Sequence, residues 1–358
     1  MQRFGLVGLP NSGKSSLFNA LTGGDSPVAP YPFATVGTHL GEARVADERL
    51  DGIALMSESA KVTPATVQFS DIGGLAAGAA AGEGLGNRFL GGIREVDALV
   101  LVLRAFADEE VDGLEDPLES LLSLELELSL ADLDSLQRQI DKKRRQAKGD
   151  AALGPEVARM ERAAALLDAG TPLWRSDLPL GERELLAPHF LLTNKPVMAV
   201  VNVDEPGPAG EAESAVAAVA EAFGGAPALA VCARLEAEVA ELPTHERAEM
   251  SESFGLGAGA LARLVSASYR ALGLETFFTT GPKETRAWPF PAGATADRCA
   301  GLIHSDFQRG FIRAETIQWA DLLEIGSWSA ARAAGRLRAE GRGYRVQDGD
   351  VLEIRFNV

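Results

Sequence analysis

Gly8-Leu9-Pro10-Asn11-Ser12-Gly13-Lys14-Ser15 decides the fold; the apolar run Phe4-Gly5-Leu6-Val7 precedes it, and a helical pattern through Leu17, Phe18, Ala20 and Leu21 follows. The spacing, set between a strand and a helix, is that of a phosphate-cradling loop. Gly8 and Gly13 allow backbone conformations and a close approach that a Cβ obstructs, so successive N–H groups can point at a β-phosphate beside the helix N-terminus. Asn11, Ser12, Gly13, Ser15 and Ser16 line the cradle. Lys14 supplies a point charge between β- and γ-phosphates, and the Ser15 hydroxyl is a Mg²⁺ ligand. A bound Mg-nucleoside triphosphate is the expectation; a chance Gly-rich turn is the alternative.

Further along, Asp71-Ile72-Gly73-Gly74 follows directly on the strand-like residues 66–69. At a strand's carboxyl end Asp71 can reach Mg²⁺ through water, and the Gly74 N–H can sense a γ-phosphate. Between the two motifs, Thr35 of Pro32-Phe33-Ala34-Thr35 is either a second hydroxyl ligand to Mg²⁺ or an ordinary turn residue. Base selection departs from the guanine pattern. Thr193-Asn194-Lys195-Pro196 precedes the core strand at 197–201 and lacks the Asp that would accept from guanine, so it reads as a decoy. The proper position holds Asn202-Val203-Asp204-Glu205, where Glu205 is one methylene longer than Asp and Val203 replaces a base-covering Lys. After the Asp71–Gly74 motif stands Leu75, and a hydrocarbon cannot orient an attacking water.

Short apolar runs at 4–8, 66–69, 98–103, 197–202 and 228–232 alternate with Gly-rich turns and helical patterns, which implies a mostly parallel α/β sheet. Between 118 and 192 the alternation stops; Leu, Ala, Glu and Arg dominate, and a helical hairpin or coiled coil turning near Lys148-Gly149-Asp150 or Leu153-Gly154-Pro155 is expected. After Gly273 short strands with Gly/Pro turns return. The predicted architecture is a P-loop domain of Ras-like α/β fold over 1–117 and 192–272, a helical insertion over 118–191, and a small α+β domain over 273–358. No apolar run approaches the roughly 18 residues that span a bilayer, and no leader precedes the first strand, so a cytoplasmic location is expected. Cys232 and Cys299 stand far apart without neighbouring ligands, which leaves disulfide frameworks and zinc sites unsupported. His39, His189, His245 and His304 match no nucleophilic pattern and suit turn or packing roles.

The net charge of −17 argues against a protein that coats DNA or RNA over its whole surface. Two basic clusters stand out. Residues 138–148 carry six basic residues against one acidic, and Arg332, Arg336, Arg338, Arg342 and Arg345 enclose only Glu340. They are either solvated faces balanced by neighbouring acids or local RNA contacts.

In several strings, in order and over nearly the whole chain, the sequence resembles the YchF-type, Obg-related P-loop NTPases, which bind the ribosome. These are GLPNSGKSSLFNALT at 8–22, YPFAT at 31–35, DIGGLAAGAAAGEGLGNRFL at 71–90, ADLDSL at 131–136, LLTNKP at 191–196 and NVDE at 202–205. FFTTGPKETRAW at 277–288, GLIHSDFQRGFIRAET at 301–316 and YRVQDGDVLEIRFNV at 344–358 look like a TGS domain, a small β-grasp module. The resemblance implies an ATPase that also takes GTP, with base contacts at Phe106, Asn202 and Val203, although Phe106 also reads as a plain core aromatic. It implies a K⁺ ion held partly by Asn11 as an aid to hydrolysis, and a His beyond Phe106 whose position is Gly113 here, so turnover is expected to be slow. Ribosomal RNA and proteins are the implied partners, met through the helical insertion and the TGS domain; a nucleotide-gated binding module without turnover is the other reading.

Overall fold

The structure is a computed structural model that describes residues 2–23, 39–72, 84–106, 114–204, 210–254 and 259–357. Thr35, Gly74, Leu75, Gly113 and Glu205 lie outside the described residues. The chain divides into two compact units, one of Met1–Ala43 with Gln68–Leu264 and one of Arg44–Val67 with Val265–Val358.

Strands β1 (Arg3–Val7), β2 (His39–Arg44), β3 (Val62–Thr63), β4 (Thr66–Asp71), β5 (Ala98–Ala105), β6 (Val197–Val203) and β7 (Ala228–Val231) come first in the chain. All but β3 form one six-stranded sheet in the order β2-β4-β1-β5-β6-β7. Its four central and right-hand pairings, β1 with β4, β1 with β5, β5 with β6 and β6 with β7, are all parallel. Strand β5 is bounded by partners on both edges and covered on both faces, so Leu99 through Leu103 are completely buried. This is why its sequence runs apolar without alternation. Each such side chain contributes about 1.5–3 kcal/mol of burial free energy.

The interruption at 118–192 is a helical hairpin. The helix Pro117–Ala147 starts at an Asp116 cap, whose carboxylate accepts from the Leu118 N–H, with Pro117 in its first turn and Arg144 and Arg145 in its last. Leu121, Leu124 and Leu128 pack into the sheet core, while Leu136 and Ile140 pack on Met160, Ala163 and Leu167 of the returning helix Gly154–Asp168. Thus one long helix serves two cores. The Leu/Glu alternation at 124–127 has a packing reason at Glu125, which is buried and accepts from Trp174 Nε1 at 3.0 Å while pairing with Arg175 at 3.2 Å.

Thr193-Asn194-Lys195 is tied up within this unit. Asp132, fully buried on the long helix, accepts from the N–H groups of Leu192 and Thr193 at 2.8 Å each and from the Thr193 hydroxyl at 2.7 Å. Asn194 exchanges hydrogen bonds with Arg183, and the Lys195 ammonium donates to the carbonyls of Arg94 and Val96. A lysine on the last carbonyls of the helix Gly84–Arg94 caps its negative end. Asn194 and Lys195 are therefore engaged in internal hydrogen bonds.

The second unit holds β3 with β8 (Leu274–Thr279), β9 (Thr285–Pro291), β10 (Phe311–Gln318), β11 (Arg338–Glu340) and β12 (Asp350–Phe356), in the order β11-β10-β12-β8-β9-β3. Residues 44–67, assigned from sequence to the P-loop domain, cluster here instead. Val62 and Thr63 pair in parallel with Thr285 and Arg286, the Ser59 hydroxyl donates to the Gly281 carbonyl at 2.8 Å, and Arg49 binds Asp348 at 2.6 Å. A two-residue strand has no periodicity to read, so only the fold reveals its partner.

The arginine-rich C-terminal cluster is largely spoken for. Glu315 and Glu353 face each other across β10 and β12, a like-charge pairing that Arg332 relieves by reaching both carboxylates at 2.6 and 3.0 Å. Arg336 pairs with Asp321, and Arg338 with the fully buried Asp350. Arg342 donates to two backbone carbonyls.

Two outcomes are expected. Asp132→Ala strands two buried N–H groups and should destabilise the protein by about 3 kcal/mol in urea unfolding. Glu315 is held at about 2 instead of 4.5, first by its hydrogen bond from Arg332 and then by Arg355 and Arg313. A depressed carboxylate stabilises above its ordinary value and loses that contribution as pH falls from 4.5 towards 2. Melting of Glu315→Gln should therefore be lowered by about 1 kcal/mol at pH 7, discounted for the half-exposed guanidiniums, and should fall less steeply than wild type below pH 4.5.

Candidate functional site

Strand β1 ends at Val7 against β4 and β5, and the chain leaves the sheet at its carboxyl edge through the loop 8–13. Two glycines set that loop's path. A Cβ on Gly8 would fall 2.5 Å from the Val102 carbonyl and from Ser12 Oγ, and one on Gly13 would fall 2.1 Å from Asn202 Nδ2. Gly13 also has φ of 90°, a left-handed conformation that favours glycine, and Asn11 has φ of 62°. The helix Lys14–Thr22 begins at Gly13 with no side-chain cap and no acidic residue in its first turn. The N–H groups of the first turn are thereby left for an anion, which the positive end of the helix favours.

Lys14 is buried, and its ammonium donates to the Leu9 carbonyl at 2.8 Å across the loop. Burial pulls its pKa down, and the nearby Asp71 opposes that shift. Asp71 ends β4 beside Leu6 of β1. Its Oδ2 accepts from the Ser15 hydroxyl at 2.8 Å, whereas its Oδ1 is buried with no hydrogen-bond partner among the described residues. A hydroxyl and a carboxylate with an unsatisfied buried oxygen form a hard oxygen-donor set that fits Mg²⁺, which commonly takes one or two protein ligands and completes its shell with water and phosphate oxygens. Among the described residues no group of three acidic, His or Cys side chains forms a self-sufficient metal cage.

Asn11, Ser15 and Ser16 are exposed at the loop's mouth. Ser12 is buried, and its carbonyl accepts from Asn202 Nδ2 at 2.9 Å. Asn202 in turn accepts from the Ala233 N–H at 3.0 Å through Oδ1. Its carboxamide therefore joins the phosphate-type loop to the start of the helix Ala233–Glu241 after β7. Val203 is half-buried against the sheet core, and Phe106 follows β5, with Ala105 in register with Val203.

The segment Cys232-Ala233-Arg234, which opens the helix Ala233–Glu241, is the part of the site that sequence reasoning missed. Its contribution is a backbone N–H, and its Arg234 reaches Asp204 at 3.5 Å; neither leaves a distinctive residue pattern. Burial raises the Cys232 thiol's pKa and keeps it protonated, which makes it a poor nucleophile. The histidines stay outside this cluster where described: His39 lies beside Phe18, His189 bonds Gln139 at 2.9 Å within the insertion, and His304 caps the helix Ser305–Arg309.

Comparison with known proteins agrees with this geometry. Residues 3–132 match the family model described as "50S ribosome-binding GTPase", and residues 274–357 match the YchF GTPase C-terminal model, described as "Protein of unknown function (DUF933)". The chain is 41% identical over 363 residues to the ribosome-binding ATPase YchF of Bacillus subtilis and 43% identical over 359 residues to that of Pasteurella multocida, covering 99% of this chain and of each relative. The solved structure of the Schizosaccharomyces pombe YchF GTPase superposes with a TM-score of 0.85 at 30% identity, covering 99% of this chain and 97% of that one. With its P-loop GTPase domain, its helical insertion and its YchF-type C-terminal domain, the chain belongs to the YchF family.

Proposed function

We propose that the chain is a Mg²⁺-dependent nucleoside triphosphatase that uses ATP, and also GTP, and binds the ribosome in a nucleotide-dependent way. The observation that carries this reading is the pairing of the buried Lys14 ammonium with the Ser15–Asp71 couple at an uncapped helix N-terminus. That combination offers positive charge and N–H groups to phosphates and oxygen donors to a metal, and Asp71 Oδ1 is buried without a hydrogen-bond partner among the described residues. The names of the relatives, ribosome-binding ATPases, supply the partner and the nucleotide.

In this reading Asn11, Ser12, Gly13, Lys14, Ser15 and Ser16 hold the phosphates, Ser15, Thr35 and Asp71 hold the metal, and Gly74 faces the γ-phosphate. Phe106, Asn202, Val203 and Glu205 surround the base. Mg²⁺, when bound, neutralises charge on the β- and γ-phosphate oxygens. Lys14 adds a fixed cation from a site where burial strengthens its field. Leu75 cannot orient water and Gly113 offers no imidazole, so turnover is slow and is aided by K⁺ beside Asn11. The insertion and the C-terminal domain, the latter of TGS type, meet the ribosome. Lys142, Arg145 and Lys148, exposed and without a carboxylate partner among the described residues, are the basic groups best free to meet rRNA.

Calorimetry with Mg²⁺ and K⁺ should find ATP bound at least as tightly as GTP, and Lys14→Ala should weaken ATP by about 100-fold, roughly 2.7 kcal/mol. An unchanged affinity in that variant would overturn the nucleotide reading. Single-turnover hydrolysis should be slow in the purified protein, faster with K⁺, and faster again with ribosomes. A fast basal rate independent of K⁺ contradicts the slow-turnover proposal, and no hydrolysis under any of these conditions favours the nucleotide-gated binding module.

A further inference from the structure

Arg104 is anomalous in β5. It closes an otherwise apolar run, is 1% exposed, and is the largest fully buried side chain among the described residues. Burying a guanidinium costs several kcal/mol unless its surroundings repay it. Three of its contacts lie in one neighbourhood. Arg104 Nε donates to the Phe106 carbonyl at 2.9 Å, the guanidinium carbon lies 4.6 Å from the centroid of the Phe106 ring, and Nη2 stands 3.7 Å from the Glu115 carboxylate. Glu115 immediately precedes Asp116, the cap of the long insertion helix.

The sheet topology says where this matters. Strand order grows outward from β1 in both directions, to β4 and β2 on one side and to β5, β6 and β7 on the other. Ligands of open α/β sheets sit outside the carboxyl ends of the strands at that reversal, here between β1 and β5. Phe106 leaves the sheet at that edge, and Arg104 is in register with Asn202, the residue that binds the loop carbonyl of Ser12.

We propose that Arg104 is a positioning residue for nucleobase recognition, fixing the ring and carbonyl of Phe106 and fastening them to the foot of the helical insertion through Glu115. The planar fork of arginine can donate through Nε, stack on a ring and reach a carboxylate with Nη2 at once; a lysine's single ammonium cannot. The same contacts join the base wall to the insertion, so a nucleotide that orders Phe106 also orders the start of the insertion helix. The inference rests on the nucleotide reading above.

The test compares two ligands on the full-length protein by calorimetry in Mg²⁺: ATP, which has a base, and inorganic tripolyphosphate, which has none. Arg104→Lys should weaken ATP about tenfold and leave tripolyphosphate within about twofold. Phe106→Ala should do the same, and the double variant should lose no more than either single one, because both remove one contact. Equal losses for both ligands, additive losses in the double variant, or a Phe106→Ala protein with unchanged ATP affinity would overturn the proposal. A wild-type protein that binds neither ligand would instead refute the nucleotide reading itself. If Arg104→Lys does not fold, the exposed Glu115 decides the matter: Glu115→Lys should weaken ATP about threefold without affecting tripolyphosphate, and no difference between the ligands sinks the idea.

Discussion

The Asn202 carboxamide holds together the parts on which the site depends. It donates to the Ser12 carbonyl and accepts from the Ala233 N–H, so the loop after β1 and the helix start after β7 are joined through the end of β6. Gly13 must pass directly beneath that amide in a left-handed conformation, and the helix Lys14–Thr22 starts from there without a side-chain cap. Positive charge and free N–H groups at the sheet's carboxyl edge follow from this crowding.

Three buried or half-buried polar groups elsewhere in the same unit tie its segments together. Asp132 collects three donors from the segment that leads into β6, Glu125 engages Trp174 and Arg175, and Lys195 closes the end of the helix Gly84–Arg94. Asp71 has one oxygen engaged by Ser15 and one buried without a hydrogen-bond partner among the described residues. That oxygen stands beside the Ser15 hydroxyl at an uncapped helix N-terminus, where an unsatisfied buried acceptor suits a ligand.

Charge is used differently from what the composition suggests. The arginine-rich C-terminal cluster serves mainly to join strands, helices and buried carboxylates, with Arg332 relieving the Glu315–Glu353 repulsion and Arg338 reaching Asp350. In the insertion, Arg138, Lys143 and Arg144 are paired with acids, which turns half of an apparent basic run into ordinary helix-surface pairing.

The sequence by itself determined the features that arise from local rules. The loop 8–15, the apolar β5 and β6, the helical segment between 118 and 192 and its turn near 148–155 are each legible in local stretches, because backbone conformation and burial period act at short range. Tertiary structure alone decided which distant groups meet. It moved residues 44–67 to the C-terminal sheet through a two-residue strand, spent Asn194 and Lys195 on internal hydrogen bonds, recruited the Ala233 N–H, and set Arg104 against Phe106 and Glu115. Such pairings depend on strand register and on the cost of leaving a buried polar group unpartnered, and neither has a signature in any single stretch of chain.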